Sequence, residues 1–556
     1  MRKILEKLEV LKKVFGYDSF REGQEKIIDA ILRGQDVLGI MPTGAGKSIC
    51  YQVPALMLPG ITIVISPLIS LMSDQVKALN QAGVHAAYIN SSLTENQIRA
   101  ALLYAAQGQY KIIYVAPERL NTMRFLDFAC RADISMVTVD EAHCISQWGQ
   151  DFRPSYLEIA DFLAKLPDRP VVSAFTATAT ERVKQDITAS LHLQNPVTVV
   201  TGFDRPNLFF RVVNRKGGKE TDNSILNYVK RHEDESGIIY CATKKNVDSV
   251  CELLLQHGIL AGRYHAGLSL EERKESQDDF TYDRIRVMVA TNAFGMGIDK
   301  SNVRFVIHYN MPKNMESYYQ EAGRAGRDGE PADCLLLYGG RDVVTNQMFI
   351  DNNRDNEELD DVTRAIVAER DRDRLKKMTF YCFTNDCLRE YILRYFGEYG
   401  SGYCGNCSNC KTQFEEMDVT EIAKAIVGCV AECRERYGTT VILDTVHGAA
   451  TVKIRNYHMD ENSHYGESSK VPTYRLRQIL NFLQVKEYLV VTSDEYAIVK
   501  LGKNAAALLN SDDEKVTMKL PKEQERVKTG KISGGAKKTK MAAGTESFTE
   551  AETTLF

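Results

Sequence analysis

The sequence predicts an α/β chain in which two parallel-sheet domains precede a helical metal-binding module and a smaller helical module that ends in a hairpin. Two series of short apolar, β-rich runs alternate with helical segments, which is typical of buried parallel strands joined by crossover helices. Clustered cysteines, and amphipathic helices after them, indicate the other modules. We place the segments at residues 1–205, 206–340, 341–412, 413–512 and, as a basic tail without a core, 513–556.

The strands of both sheet domains are expected where these apolar runs lie. In the first domain the runs cover residues 37–41, 61–65, 112–115, 136–139 and 171–175. In the second domain they cover residues 208–213, 237–242, 287–291, 303–308 and 334–338. A single core rarely serves more than about 250 to 300 residues, so a chain of 556 residues should form several domains. Each series is long enough to bury a core of its own.

Composition narrows the class of protein before any motif is considered. The 556 residues are 44% hydrophobic and 26% charged, and no run of 18 apolar residues offers a membrane span. The charged amphipathic start lacks the apolar core of a signal peptide, so we expect a cytoplasmic protein associated with the nucleoid. Thirteen cysteines then predict metal ligands and not disulfides. The net charge of −4 still leaves room for a local basic surface that binds nucleic acid.

A glycine turn between a strand and a helix predicts a triphosphate site in the first domain. The loop consists of Thr43, Gly44, Ala45, Gly46, Lys47 and Ser48. Its glycines let backbone N–H groups approach phosphate oxygens, and the helix dipole points at the same anion. Lys47 would neutralise the β and γ oxygens, and Ser48 would hold Mg²⁺. The strict pattern has glycine where Met41 stands, and a glycine turn with an incidental lysine is the alternative.

A pair of carboxylates follows the apolar run at 136–139 and completes this site. Asp140 would hold the Mg²⁺ and Glu141 would position the attacking water, because both follow a parallel strand of the sheet that carries the phosphate loop. An Asp-Glu pair alone often caps a helix. Together with the phosphate loop it predicts hydrolysis of a nucleoside triphosphate.

The second domain lacks a phosphate loop and carries two arginines between glycines. Arg324 and Arg327 are three residues apart, so they share a helix face and can both reach a γ-phosphate presented by the first domain. Surface ion pairing is the alternative, but the flanking glycines permit close backbone approach. We therefore predict a nucleotide bound between the domains, in a motor that closes and reopens.

Two further stretches of the first domain carry side chains suited to flat ligands. Gln24 could bind one adenine edge while a ring or guanidinium covers the base, although a helix start beside core aromatics is the simpler explanation. The loop after the carboxylates holds Trp148, Phe152 and Arg153, which offer stacking faces and a cation for single-stranded DNA. The alternative is a loop whose aromatic rings fold inward as a small core.

Four cysteines predict a closed metal site after the second domain. Cys404, Cys407 and Cys410 follow the spacing CxxCxxC, and Cys387 lies 17 residues before them. Four thiolates leave no open position for substrate, so we predict a structural Zn²⁺. An iron–sulfur cluster is the second choice of metal. Cys382 is a spare candidate for the fourth ligand.

The last folded module has the pattern of a winged helix. Amphipathic helices near 422–430, 442–447 and 476–488 precede two short strands, at 489–492 and 496–501. Basic residues that would contact phosphates are Lys453, Arg455, Arg475 and Arg477. A protein-binding winged helix is equally consistent with this pattern.

The order of these motifs resembles that of superfamily 2 helicases. The stretches FGYxxFRxGQ, CISQWGQDFRPSY and GRAGRDG are similar to those of the bacterial RecQ DNA helicases, over roughly residues 10–500. This resemblance implies two RecA-like motor domains, a zinc platform with Cys387 as the fourth ligand, and a winged helix, without the HRDC domain of many relatives. It also assigns adenine binding to Tyr17, Arg21 and Gln24. The resemblance further implies that Trp148, Phe152 and Arg153 couple DNA binding to ATP turnover.

The resemblance implies an ATP- and Mg²⁺-dependent 3′–5′ DNA helicase in repair, recombination and replication. Its expected substrates are single-stranded DNA and duplexes with a 3′ overhang. Candidate partners are a single-strand-binding protein and a sliding clamp, which would bind Leu555 and Phe556; a frayed chain end is the alternative for that pair. An RNA helicase and a nucleotide-gated scaffold for DNA junctions are the rival functions.

Overall fold

The computed structural model describes residues 7–149, 151–215, 217–294, 300–352, 360–492, 498–511 and 514–521. It divides into two compact units, one within Met1–Arg215 and Glu235–Cys410, the other within Lys216–Asp234 and Lys411–Phe556. Among the helices it describes, none combines the length and apolarity that a bilayer crossing requires.

The first lobe is built on a seven-stranded parallel sheet in the order β3-β4-β2-β5-β6-β1-β7. Its strands are β1 (Val37–Ile40), β2 (Ile61–Ile65), β3 (Ala86–Ile89), β4 (Ile112–Val115), β5 (Ile134–Val139), β6 (Val171–Thr176) and β7 (Val197–Val200). Every residue of β2 is buried, as expected of a central strand covered on both faces. Because all seven strands are parallel, the carboxyl ends of β1 and β5 lie on the same side of the sheet, separated by β6. The phosphate loop and the carboxylate pair begin there.

Helices flank this sheet on the connections between its strands. They are α1 (Gln24–Leu32), α2 (Lys47–Met57), α3 (Ile69–Gln81), α4 (Glu95–Ala106), α5 (Met123–Ala129), α6 (Glu158–Lys165) and α7 (Glu181–Ser190). Capping hydrogen bonds and glycine conformation explain where some of these helices begin. Thr94 and Gln97 form a capping box at α4, and α2 starts directly after Gly46, which has a left-handed backbone.

The second lobe has a six-stranded parallel sheet in the order β10-β11-β9-β12-β13-β8. Its strands are β8 (Leu208–Asn214), β9 (Ser236–Tyr240), β10 (Ala261–Tyr264), β11 (Val287–Ala290), β12 (Val303–His308) and β13 (Ala332–Tyr338). Its helices are α9 (Lys244–Gln256), α10 (Leu270–Thr281) and α11 (Met315–Ala322); α8 (Gly218–Arg231) follows β8 in the chain and belongs to the second unit.

A zinc-binding module of mainly helical structure follows the second lobe. Its helices are α12 (Gly340–Asp351), α13 (Asp361–Phe383), α14 (Leu388–Tyr395) and α15 (Ser408–Lys411). The hydroxyl of Tyr381 donates to that of Tyr318 across 3.2 Å, so α13 packs against α11 through buried aromatic residues. The first unit is thus two parallel-sheet lobes with a helical zinc module, as the sequence predicts.

The second unit contains the winged helix that the sequence predicts. Its elements are β14 (Phe414–Asp418), α16 (Thr420–Glu432), α17 (Thr439–His447), α18 (Val452–Asn456), α19 (Thr473–Val485), β15 (Leu489–Val491), β16 (Val499–Leu501), α20 (Ala505–Asn510) and β17 (Thr517–Pro521). The hairpin of β15 and β16 is antiparallel, and the turn predicted at 493–495 lies outside the described residues.

The predicted start of the tail at residue 513 is too early. Strand β17 pairs antiparallel with β14, and Val516 and Met518 are buried in the core of the second unit. Two apolar positions separated by one polar residue were too short a pattern to stand out in a lysine-rich stretch. Residues 522–556, which include the predicted clamp-binding pair, lie outside the described residues.

Candidate active site and metal centre

The phosphate loop has the geometry that its sequence predicts. Gly44 and Gly46 have φ angles of 89° and 79°, in the left-handed region where residues with a Cβ are strained. Gly46 is the N-cap of α2, so Lys47 and Ser48 begin a helix whose positive dipole end faces the loop. The side chain of Met41, which stands where the strict pattern has glycine, is buried in the core of the first lobe.

Arg21 and Gln24 hold the phosphate loop from the side of α1. The Gln24 amide donates to the carbonyls of Ala45 and Gly46, each at 3.0 Å, and Arg21 donates to the carbonyl of Gly44. Gln24 is only 3% exposed, whereas Tyr17 is 53% exposed. In this structure the Gln24 amide is therefore engaged by the loop. The adenine contacts assigned to Tyr17, Arg21 and Gln24 stay a prediction.

The carboxylate pair lies at the end of β5, beside the lysine of the phosphate loop. Lys47 Nζ is 3.7 Å from Glu141 Oε1. Glu141 has a positive φ of 46°, a strained backbone of the kind that persists at functional sites when neighbouring structure enforces it. The hydroxyl of Tyr156 donates to the Asp140 carbonyl at 3.0 Å and helps to hold the turn.

The two carboxyl groups have opposite pKa shifts. Burial and the neighbouring charge of Glu141 raise the pKa of Asp140. Burial alone would raise the pKa of Glu141, but the positive charges of Lys47 and His143 bring it below its usual value. Glu141 is thus ionised at neutral pH, as a group that orients or activates water requires. His143 Nδ1 is also 2.9 Å from Thr176 Oγ1, which links the pair to the end of β6.

Both predicted arginines of the second lobe line the cavity at the phosphate loop, but they lie in the turn after α11, so the prediction that they share a helix face is wrong. A Cβ placed on Gly44 would lie 3.2 Å from Arg327 Cγ, so this side chain passes directly over the loop. Arg324 is 8% exposed, and its charge contributes to the lowered pKa of Glu141. Lys47, Asp140, Glu141 and both arginines line one cavity of about 900 Å³. Its size is that of a site for a nucleotide.

In the loop that follows the carboxylates, the aromatic rings are covered by neighbouring groups. The Trp148 ring has Arg182 Cζ 3.2 Å and Arg370 Cζ 3.7 Å from its centroid. Two guanidinium groups at these distances cannot share a face without overlapping, so the indole lies between them. Phe152 is 7% exposed, and Arg153 pairs with Asp151 in the same loop. Neither ring presents a free stacking face in this state, and the DNA contacts assigned to these residues stay a prediction.

The four predicted cysteines form a metal site of the zinc module. The sulfurs of Cys387, Cys404, Cys407 and Cys410 all lie within 4.8 Å of one another, and those of Cys404 and Cys410 are 3.9 Å apart. A tetrahedral ion with Zn–S bonds of about 2.3 Å separates its sulfurs by about 3.8 Å. The site therefore fits one Zn²⁺, whereas an iron–sulfur cluster would need wider spacing. Backbone N–H groups of Asn406 and Cys410 donate to sulfur and orient the ligands.

This fold and site define a nucleotide-driven motor in which two sheet domains face each other across a phosphate loop. Four family models match the chain: DEAD/DEAH box helicase at 21–187, helicase conserved C-terminal domain at 220–329, RecQ zinc-binding at 340–411 and RQC domain at 413–527. The chain belongs to the RecQ helicase family. This finding confirms the family that its motifs indicate.

Two bacterial proteins and one solved structure show how similar this chain is to known proteins. The ATP-dependent DNA helicase RecQ of Bacillus subtilis is 43% identical, over 90% of this chain and 83% of its own length. The protein of the same name from Pasteurella multocida is 38% identical, over 91% of this chain and 78% of its own length. Among solved structures, yeast Dbp5 bound to RNA and ADP BeF3 covers 65% of this chain and 97% of its own, with a TM-score of 0.51 and 19% identity. That structure supports the fold alone.

Proposed function

We propose that this protein is an ATP-dependent 3′–5′ DNA helicase that translocates on single-stranded DNA and opens duplexes during repair, recombination and replication. The observation that carries the proposal is the cavity in which Lys47 and Glu141 of one lobe face Arg324 and Arg327 of the other. The bacterial relatives named ATP-dependent DNA helicases, which match over most of their length, support DNA as the substrate. The direction rests on the family resemblance.

The side chains of the cavity divide the work of hydrolysis between the two lobes. Backbone N–H groups at Gly44 to Ser48 and the Lys47 ammonium bind the phosphates. Ser48 and Asp140 would hold Mg²⁺, which would neutralise phosphate charge. Glu141 orients water and accepts its proton, and the guanidinium groups of Arg324 and Arg327 stabilise charge that develops on the γ-phosphate. Release of the cleaved phosphate removes its negative charge from the cleft, which weakens the attraction between the lobes and lets the cleft reopen.

Strand displacement tests this function and its direction. Duplexes with a 3′ overhang, a 5′ overhang or blunt ends are mixed with the protein, ATP and Mg²⁺, and release of a labelled strand is followed. We expect release from the 3′ overhang only, and none with Glu141→Gln, which keeps the side-chain shape and removes the carboxylate. Release from the 5′ overhang would contradict the direction. Stimulation of the ATPase by RNA as strong as by DNA would favour an RNA helicase.

Trp148→Ala is expected to leave basal ATP hydrolysis in place and to lower its stimulation by single-stranded DNA about tenfold, since base stacking on an aromatic ring contributes about 1–3 kcal/mol. Trp148→Phe, which keeps a flat ring, should retain more stimulation. ATPase rates with and without single-stranded DNA provide the measurement. Full stimulation of the alanine variant would remove this residue from the coupling path.

The cellular setting completes the proposal. We propose that the protein acts in the cytoplasm at the nucleoid, where its DNA substrates would be. A single-strand-binding protein would supply coated single strands. A sliding clamp would recruit the protein through Leu555 and Phe556.

A further inference from the structure

The two lobes are joined through residues 203–208, which we call the hinge segment. Its first residue is held by groups from outside the first lobe. The Tyr319 hydroxyl of α11 donates to the Phe203 carbonyl at 2.8 Å, and the Glu398 carboxylate accepts from the Phe203 N–H at 3.0 Å. The rings of Phe203 and Phe396 also stack, with centroids 4.4 Å apart. A segment anchored in this way has little freedom of its own.

Arg205 of the hinge segment donates to the loops of both lobes that surround the cavity. Its Nη1 is 3.3 Å from the Thr43 carbonyl in the phosphate loop and 3.2 Å from the Gly323 carbonyl. Gly323 begins the turn at residues 323–327, which we call the arginine loop. Its Nη2 is 2.9 Å from the carbonyls of both Ala325 and Gly326. One rigid, planar guanidinium thus fixes the backbone that carries Arg324 and Arg327 relative to the phosphate loop. A lysine cannot reproduce this, because its single ammonium cannot span the same acceptors.

The zinc module holds the hinge segment on both sides of Arg205. Arg389, which is 6% exposed, donates to the Asp204 carboxylate at 2.9 Å and to the carbonyls of Pro206 and Leu208 at 3.2 and 2.7 Å. Asn406, between two of the zinc ligands, donates to the Pro206 carbonyl at 3.1 Å. Helix α14 and the cysteine loop therefore fix the backbone on both sides of Arg205, and neither Arg389 nor Asn406 lines the cavity.

We propose that Arg205 is a positioning residue for hydrolysis, which sets the distance between the arginine loop and the phosphate loop, and that Arg389 of the zinc module determines the position of Arg205. The zinc module then influences turnover through the hinge segment. Misplacing a transition-state arginine by about 1 Å is enough to lower a rate substantially. This inference rests on the proposed ATPase function, because it concerns the rate of that step.

Arg205→Lys tests the inference, with Arg389→Lys as a second variant that leaves the cleft untouched. We expect the single-turnover rate of ATP hydrolysis to fall about tenfold in Arg205→Lys and about threefold in Arg389→Lys, while the KM for ATP and the Kd for a fluorescent ADP analogue stay within about twofold. Neither side chain lines the cavity, so we expect nucleotide binding to be spared. A purely structural role would not separate the rate from the KM in this way.

Arg169→Lys is the matched control. Arg169 is a part-buried arginine of the first lobe that donates to Asp36 and to the His192 carbonyl, away from the cavity. This variant should lower the melting temperature and keep the hydrolysis rate. Wild-type rates in Arg205→Lys would overturn the inference, and so would a rate loss that Arg169→Lys shares at equal melting temperature. A large rise in KM would make Arg205 a nucleotide contact. A wild-type protein without ATPase activity would instead refute the proposed function.

Discussion

Replacing Lys47 by alanine is expected to slow ATP hydrolysis about 1,000-fold while single-stranded DNA binding stays within about threefold. Two effects act together. The variant loses the cation that meets the β and γ oxygens, and it loses the charge that keeps the pKa of Glu141 low. The first effect accounts for the loss of rate, because a carboxylate whose pKa rises is still a base. DNA binding should persist because it depends on other loops.

Steady-state ATPase rates and fluorescence anisotropy of a labelled oligonucleotide provide the measurements for Lys47→Ala. Lys165→Ala, at an exposed lysine of α6 in the same lobe, is the control and should behave like wild type. A loss of DNA affinity as large as the loss of hydrolysis would show that the two sites are not separate.

Arg327→Ala is also expected to lower the hydrolysis rate about 1,000-fold, with little change in the KM for ATP, because an arginine at the γ-phosphate acts mainly in the transition state. The Arg327 side chain lies against the phosphate loop at Gly44. Arg327→Lys should recover only part of the rate, since an ammonium lacks the forked donor geometry of a guanidinium.

The control for Arg327 is Arg284→Ala, at an exposed arginine of the second lobe that pairs with Asp279. Its hydrolysis rate should equal that of wild type. Were Arg327→Ala to hydrolyse ATP at the wild-type rate, the second lobe would contribute no arginine at this position and the two-lobe mechanism would fail.

The central strands could be predicted from the sequence, and the strands it missed lie at sheet edges. Strands β3, β7 and β10 are each four residues long, and each is the edge strand of its sheet. Edge strands are partly exposed, so apolar and polar residues mix in them and no continuous apolar run forms. Most runs that did predict strands, such as β2 and β12, are covered on both faces; β8 is an edge strand that was predicted as well.

The site was predictable where its residues are contiguous. The phosphate loop, the carboxylate pair, the arginine pair and the cysteine cluster each occupy a few neighbouring positions with a required spacing. Arg205 and Arg389 gave no such signal, because their partners lie 118 to 185 residues away in the chain and most are backbone carbonyls, which any residue type supplies. The hydrogen bonds from Gln24 to the phosphate loop also escaped prediction, because their acceptors are backbone carbonyls.

The pairing of β14 with β17 decides where the winged-helix unit can be cut for expression by itself. The first and last strands of this unit lie side by side, and Val516 and Met518 from its final segment fill its core. A fragment ending at residue 512 would leave backbone groups of β14 unpaired and a cavity in the core of the unit. An unpaired strand edge favours aggregation. A fragment that runs from residue 413 past residue 521 keeps both strands and brings its two termini to the same end of the module.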